Sequence, residues 1–191
     1  MTLDLGQAAR ATAGVVAGVR DDQLGDPTPC PAYTVGDLLD HIGGLSVAFT
    51  AAARKTALAG EHEPSGDGSR LEPGWRDRIG DALTELAESW TTPGAFDGVT
   101  RAGPVELPAG VAAQVALNEV VVHGWDLARA TDQPYDPEEG AVAACLAFAT
   151  SFGVPEDADD GPFGPPVDVP AGAPALNRLA GATGRRPDWA A

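Results

Sequence analysis

One stretch, about 109–130, restricts the folds open to this chain more than any other. Pro108 suits the start of a helix, where its fixed φ fits and its missing N–H has no partner to lose. Wound at about 100° per residue, the stretch is apolar almost all the way round. Val111, Val115 and Val122 share one side, and Leu117, Val120, Val121 and Leu127 occupy the others. Such a helix is stable only when other elements surround it. Yet Glu119, His123 and Asp126 fall within a sector of roughly 60° beside the valines. A carboxylate ionised in those surroundings costs several kcal/mol unless it has a partner or a metal.

The rest of the chain supplies the surrounding helices. Leu5, Ala9, Thr12, Val16 and Val19 recur in steps of four and three, which predicts an amphipathic helix over about 3–20. The segment 21–32 holds three prolines and reads as loop. Thr34 offers an N-cap with Asp37 at N3, and Val35, Leu38, Leu39, Ile42, Leu45, Phe49 and Ala53 carry a helix of about 34–59. A polar loop over 60–74 precedes a third helix marked by Trp75, Ile79, Ala82, Leu83, Leu86 and Trp90. Phe96–Val99 and Gly103–Leu107 suggest two short extended pieces around a turn. After the 109–130 helix, a fifth starts at Asp136-Pro137 and runs through Val142, Cys145, Leu146 and Ala149 to about Ser151. The tail, about 152–191, holds seven prolines and six glycines and reads as a wrapped segment. The expectation is a mainly α fold in a single domain, 1–191. Its core is an up-and-down four-helix bundle with a short hairpin-like insertion, a fifth helix and the wrapped tail.

Charge narrows the partners. Twelve basic residues against 28 acidic ones give a formal charge of −16, which opposes binding to nucleic acid or to an anionic membrane surface. The sequence has no apolar run long enough for a transmembrane helix, and its first residues lack the positive start of a secretory signal. Two cysteines, Cys30 and Cys145, are too few for a disulfide framework. A soluble, cytoplasmic domain is expected.

Glu119 and His123 stand at i and i+4, so a carboxylate oxygen and an imidazole nitrogen meet on one helix face and could share a divalent cation. A third donor must come from another helix. Of the three histidines, His62 lies in the polar run Glu61-His62-Glu63, where a solvated side chain is the favoured reading. His41 lies at the edge of the second helix's apolar stripe, with Gly44 and Ala48 leaving space above it. Asp126 reads as a partner for an imidazole N–H rather than as a direct ligand, and Asp37 as the N3 residue of its helix. Cys30, in Thr28-Pro29-Cys30-Pro31, reads first as a buried structural thiol and second as a redox-sensitive thiol near the site. Cys145 reads as core. On spacing alone, a metal site and a buried Glu119–His123 ion pair stand level.

A resemblance tips that balance. Thr28-Pro29-Cys30-Pro31, Tyr33-Thr34-Val35, Asp37-Leu38-Leu39 and His41 resemble the second-helix motif of the mycothiol-dependent maleylpyruvate isomerase N-terminal domain family. The run from Asn118 to Ala128 resembles that family's metal-binding helix, and the tail from Phe163 to Trp189 is similar to a single-domain subgroup described only as metal-binding. The resemblance implies a DinB-like four-helix bundle with one divalent metal, zinc first and nickel or iron as alternatives. It also implies His41, Glu119 and His123 as the protein ligands.

The partners it implies are a small thiol of the mycothiol type and a small electrophilic substrate; a homodimer is compatible with it. The isomerase of the family carries a second, C-terminal domain that contributes to its active site, and these 191 residues leave no room for one. Efficient isomerisation of maleylpyruvate by this chain alone is therefore not expected. Three functions remain in competition: a thiol-dependent transferase or isomerase, a non-catalytic metal-binding or stress-responsive protein, and a structural module with a buried ion pair.

Overall fold

The structure, a computed structural model, describes residues 3–56, 65–103, 105–151 and 163–190. Its elements are α1 (Gly6–Gly18), α2 (Val35–Arg54), α3 (Trp75–Ser89), β1 (Val99–Ala102), β2 (Val105–Pro108), α4 (Ala109–Ala130), α5 (Glu139–Ser151) and α6 (Ala175–Ala182). The fold is mainly helical.

α1 packs on α3 and α4, and α2 packs on the same two helices, so the four close a ring in the order α1, α3, α2, α4. Short connections would make consecutive helices neighbours. Here α1 lies across the ring from α2, and α3 across from α4, each pair joined by a long connection. The second connection contains the antiparallel hairpin of β1 and β2, which pairs Val99 with Pro108 and Ala102 with Val105. The hairpin packs on α2 and α4, and the Thr100 hydroxyl donates to the Ala52 carbonyl over 2.6 Å.

α4 spans the whole stretch expected to be surrounded, and the burial follows. Ala112, Ala113, Ala116, Val120, Val121 and Leu127 have no exposed surface. They share one core with Leu38, Leu39, Ile42, Leu83 and Leu86, which are equally enclosed, each of these leucines and the isoleucine worth roughly 1.5–3 kcal/mol of burial. α4 also lies close to α1. The Thr12 hydroxyl donates to the Val120 carbonyl over 3.0 Å, and a methyl on Gly124 would meet the Thr12 and Tyr135 hydroxyls. α5 packs on the outside of α4, and α6 on α5.

Several boundaries differ from those read in the sequence. α2 stops at Arg54 because Lys55 turns left-handed, with φ 55°, and the N–H groups of Lys55 and Thr56 close on the carbonyls of Ala52 and Ala51; residues 57–59 lie outside the described residues. β1 begins at Val99, since Phe96-Asp97-Gly98 forms the turn before it. α5 begins at Glu139 rather than at Asp136-Pro137. The tail is more than a wrapped strand. It contains α6, whose Leu179 and Ala180 are buried. No helix among the described residues is long and apolar enough to cross a membrane.

Candidate metal centre

His41 is carried by α2, whose start is fixed by a complete capping box. The Asp37 N–H donates to the Thr34 hydroxyl over 3.2 Å, and the Thr34 N–H donates back to Asp37 Oδ2 over 3.0 Å. The other Asp37 oxygen accepts the Gly68 N–H over 2.8 Å. Both carboxylate oxygens are therefore used locally, and Asp37 anchors the helix that presents His41. Across the α2–α4 contact, Glu119 Oε2 lies 3.1 Å from His123 Nε2 and 3.5 Å from His41 Nε2. The two imidazole rings stand perpendicular with centroids 4.9 Å apart. One donor atom from each of these three residues lies within 4.8 Å of the other two.

The far edge of His123 is held from behind. Its Nδ1 lies 3.0 Å from Asp126 Oδ2. Asp126 has no exposed surface and accepts from the Arg185 guanidinium at 2.9 Å. A chain of contacts thus runs from Arg185 through Asp126 and His123 to Glu119. With Nδ1 occupied by the carboxylate, the lone pair or proton of Nε2 points toward Glu119.

Charge in this cluster is strongly coupled. Burial disfavours an ionised Glu119, but hydrogen bonds with His123 and His41 outweigh it and hold the carboxyl well below its usual range. Burial likewise disfavours a charged His123, but its bonds to Asp126 and Glu119 prevail and push it up to about 9. Burial also works against the Asp126 charge, and Arg185 and then His123 keep that carboxyl low. With no ion bound, the centre is therefore a carboxylate–imidazolium network, and the proton on His123 occupies the direction in which a metal would bind.

Other residues singled out in the sequence fall elsewhere. Cys30, half-buried, lies with His123 and Asp126 in a second group of donors within 4.8 Å of one another. Arg185 already holds both Asp126 oxygens, so this second group has a resident cation in its guanidinium. Burial pushes the Cys30 thiol up, with Arg185 acting in the opposite sense, which keeps it a thiol rather than a reactive thiolate at neutral pH. Cys145 is buried core. His62 lies outside the described residues. Gly44 opens onto a groove of about 430 Å³ between α2 and α3 that His41 does not line.

Two contributors were not singled out from the sequence. Tyr33 stacks on His41 with centroids 5.1 Å apart; its place in the Tyr33-Thr34-Val35 run was the signal that could have found it. Arg185, 59 residues beyond Asp126, stood only within the tail similarity from Phe163 to Trp189, with nothing to tie it to the site.

The family model described as mycothiol maleylpyruvate isomerase N-terminal domain matches residues 5–128. The chain belongs to this family. That span includes His41, Glu119, His123 and Asp126 of this family member and leaves out Arg185. Two proteins from different strains of Mycobacterium tuberculosis, each described only as uncharacterized, are 30% identical to it over 188 residues, covering 94% of either chain. A crystal structure of the mycothiol-dependent maleylpyruvate isomerase superposes with a TM-score of 0.58 at 18% identity, and one of its mutants with 0.56 at 16%. Each likeness covers 75% of this family member but only 65% of the isomerase chain, and at such identity it concerns the fold alone.

Proposed function

We propose that this protein holds one divalent metal through His41, Glu119 and His123 and uses it in the chemistry of a small thiol, as a transferase or isomerase. The observation that carries this reading is the convergence of two imidazole nitrogens on one carboxylate oxygen, at a half-buried place between α2 and α4 where the Glu119 side chain keeps 26% of its surface exposed. Donors bound tetrahedrally to one ion at 2.0–2.1 Å stand about 3.3 Å apart. The 3.1 and 3.5 Å separations fall on either side of that value. A structural ion pair needs one imidazole; the second one, and the buried carboxylate that orients the first, have a use if a metal is held. Two nitrogens and an oxygen suit zinc, with nickel and iron also served by such a set.

When bound, a divalent ion with three protein ligands supplies Lewis acidity at an open position, which favours the thiolate form of an entering thiol. The chain's own residues do the rest. Glu119 supplies the negative charge that offsets the cation. His41 and His123 hold their Nε2 atoms toward it, Tyr33 backs the His41 ring, and Asp126 fixes the His123 ring from its far edge. Mycothiol is the thiol suggested by the family, and the second substrate is a small electrophile. The isomerase chains extend beyond the matched portion, so maleylpyruvate itself is not carried over.

The test is metal analysis of purified protein, followed by incubation of metal-loaded and chelated samples with mycothiol and a panel of electrophiles that includes maleylpyruvate. Metal-dependent product is the expected result. One bound ion per chain without any product would favour a non-catalytic metal-binding protein. Absence of metal, together with failure to take it up, would return the cluster to a buried ion pair.

A further inference from the structure

The matched family span ends at residue 128, yet the contacts that orient His123 continue into the C-terminal segment. α6 ends in a Schellman closure: the Arg185 N–H donates to the Ala180 carbonyl over 2.8 Å, and the Gly184 N–H to that of Gly181 over 3.1 Å. Gly184 takes φ +83°, and a methyl there would meet the Gly164 backbone at 3.0 Å, so the turn admits little but glycine. This places Arg185 directly over Asp126. Its side chain is only 12% exposed. Nε lies 3.2 and 3.3 Å from the two Asp126 oxygens, Nη2 lies 2.9 Å from Oδ2, and Nη1 donates to the Thr183 carbonyl over 2.7 Å. The guanidinium is thus fixed at both ends, by its own turn and by the carboxylate.

We propose that Arg185 is a positioning residue for the metal centre: by clamping Asp126, it locks the His123 ring with Nε2 turned toward Glu119 and His41. The inference rests on the metal-binding reading above and extends it to a segment outside the family span. An aspartate with no exposed surface and no guanidinium would keep two rotational choices and a weaker hold on Nδ1. A metal-ligating imidazole released in this way typically loses ten- to a hundredfold in affinity. A lysine at 185 keeps the charge but not the fork that grips both oxygens.

The experiment uses the full chain and cobalt(II) or zinc(II) in competition with a chelator. Arg185→Gln should weaken the dissociation constant by about ten- to a hundredfold and alter the visible cobalt spectrum, while circular dichroism remains helical. Arg185→Lys, the variant safer for folding, should recover only part of the affinity. In an Asp126→Asn background, Arg185→Gln should change the constant by less than about twofold, because coupled residues act through one contact. A merely structural arginine would give additive losses and an unaltered spectrum, and that result overturns the proposal. Equal affinity in wild type, Arg185→Gln and Arg185→Lys overturns it as well, leaving the metal-binding reading intact. A wild-type chain that takes up neither ion overturns both.

Discussion

At the scale of single residues, the centre divides into donors that the sequence disclosed and a support it did not. Glu119 and His123 were legible because a carboxylate and an imidazole one turn apart on an apolar helix are costly to bury without a ligand or a partner. His41 was legible because helical histidines are so scarce, and Asp126 for the same reason as Glu119. Arg185 was not, since nothing local links it to a carboxylate 59 positions earlier. The donors give the sharpest prediction. His41→Ala and His123→Ala should each remove most bound metal, as read by elemental analysis after dialysis against a weak chelator. Glu119→Gln should do the same while leaving the volume of the site unchanged, because it removes the negative charge that offsets the cation. Full occupancy in all three variants would refute the ligand assignment. Cys30→Ser should leave metal content unchanged, since the thiol groups with His123 and Asp126 rather than with the His41–Glu119–His123 donors.

At the scale of elements, α4 was readable over its full length because a proline precedes it and its apolar character is continuous. α6 was hidden, since eight residues flanked by prolines and glycines carry too little periodicity to be separated from loop. Its helix depends on packing against α5 and on the Schellman turn rather than on local propensity. Two substitutions test how α2 and α4 are held. Asp37→Ala removes the acceptor for the Thr34 and Gly68 N–H groups, and should cost about 1 kcal/mol, or roughly 2–4 °C in Tm for a chain of this size. Its carboxyl is held low first by the Gly68 N–H and then by Thr34. The wild-type advantage should therefore be present above the ordinary aspartate value and fade as the pH falls through the folded one. Gly124→Ala sets two effects against each other. Alanine gains up to about 1 kcal/mol of helix propensity. Against that, the new methyl would lie 2.5 Å from the Tyr135 hydroxyl and closer still to Thr12, both of which are tied to the Val120 carbonyl. Overpacking of that kind costs about 1–3 kcal/mol, so a lower Tm is expected by thermal melting, and an unchanged or higher one would show that α1 can move aside.

At the scale of the whole molecule, pH should separate the metal-free protein from the metal-bound one by sign. In the metal-free protein, His123 titrates near 9 when folded against about 6.5 unfolded. A raised imidazole value contributes stability that is fully present below about pH 6.5 and is lost as the pH rises toward 9. Glu119 and Asp126, held low when folded, contribute stability that is present above about pH 4.5 and is lost in acid. The metal-free chain should therefore melt highest between about pH 5 and 6.5 and soften on the alkaline side. Metal binding runs the other way. The proton on His123 must leave before Nε2 can ligate, so binding releases about one proton, and affinity should rise about tenfold per pH unit until the pH nears 9. An ordinary imidazole would confine that dependence to below about pH 6.5. The Asp126 and Glu119 contacts extend it well above neutrality. The measurement is a pair of melting curves, metal-loaded and chelated, at half-unit steps from pH 5.5 to 9. Their separation should widen with pH, since above about pH 6.5 the metal-free curve falls while the metal-bound one, with His123 deprotonated both bound and unfolded, stays level. Zinc calorimetry at pH 7 in two buffers of different ionisation enthalpy should give close to one proton released per ion. A constant separation, or no proton release, would mean that His123 does not both carry the proton and receive the metal.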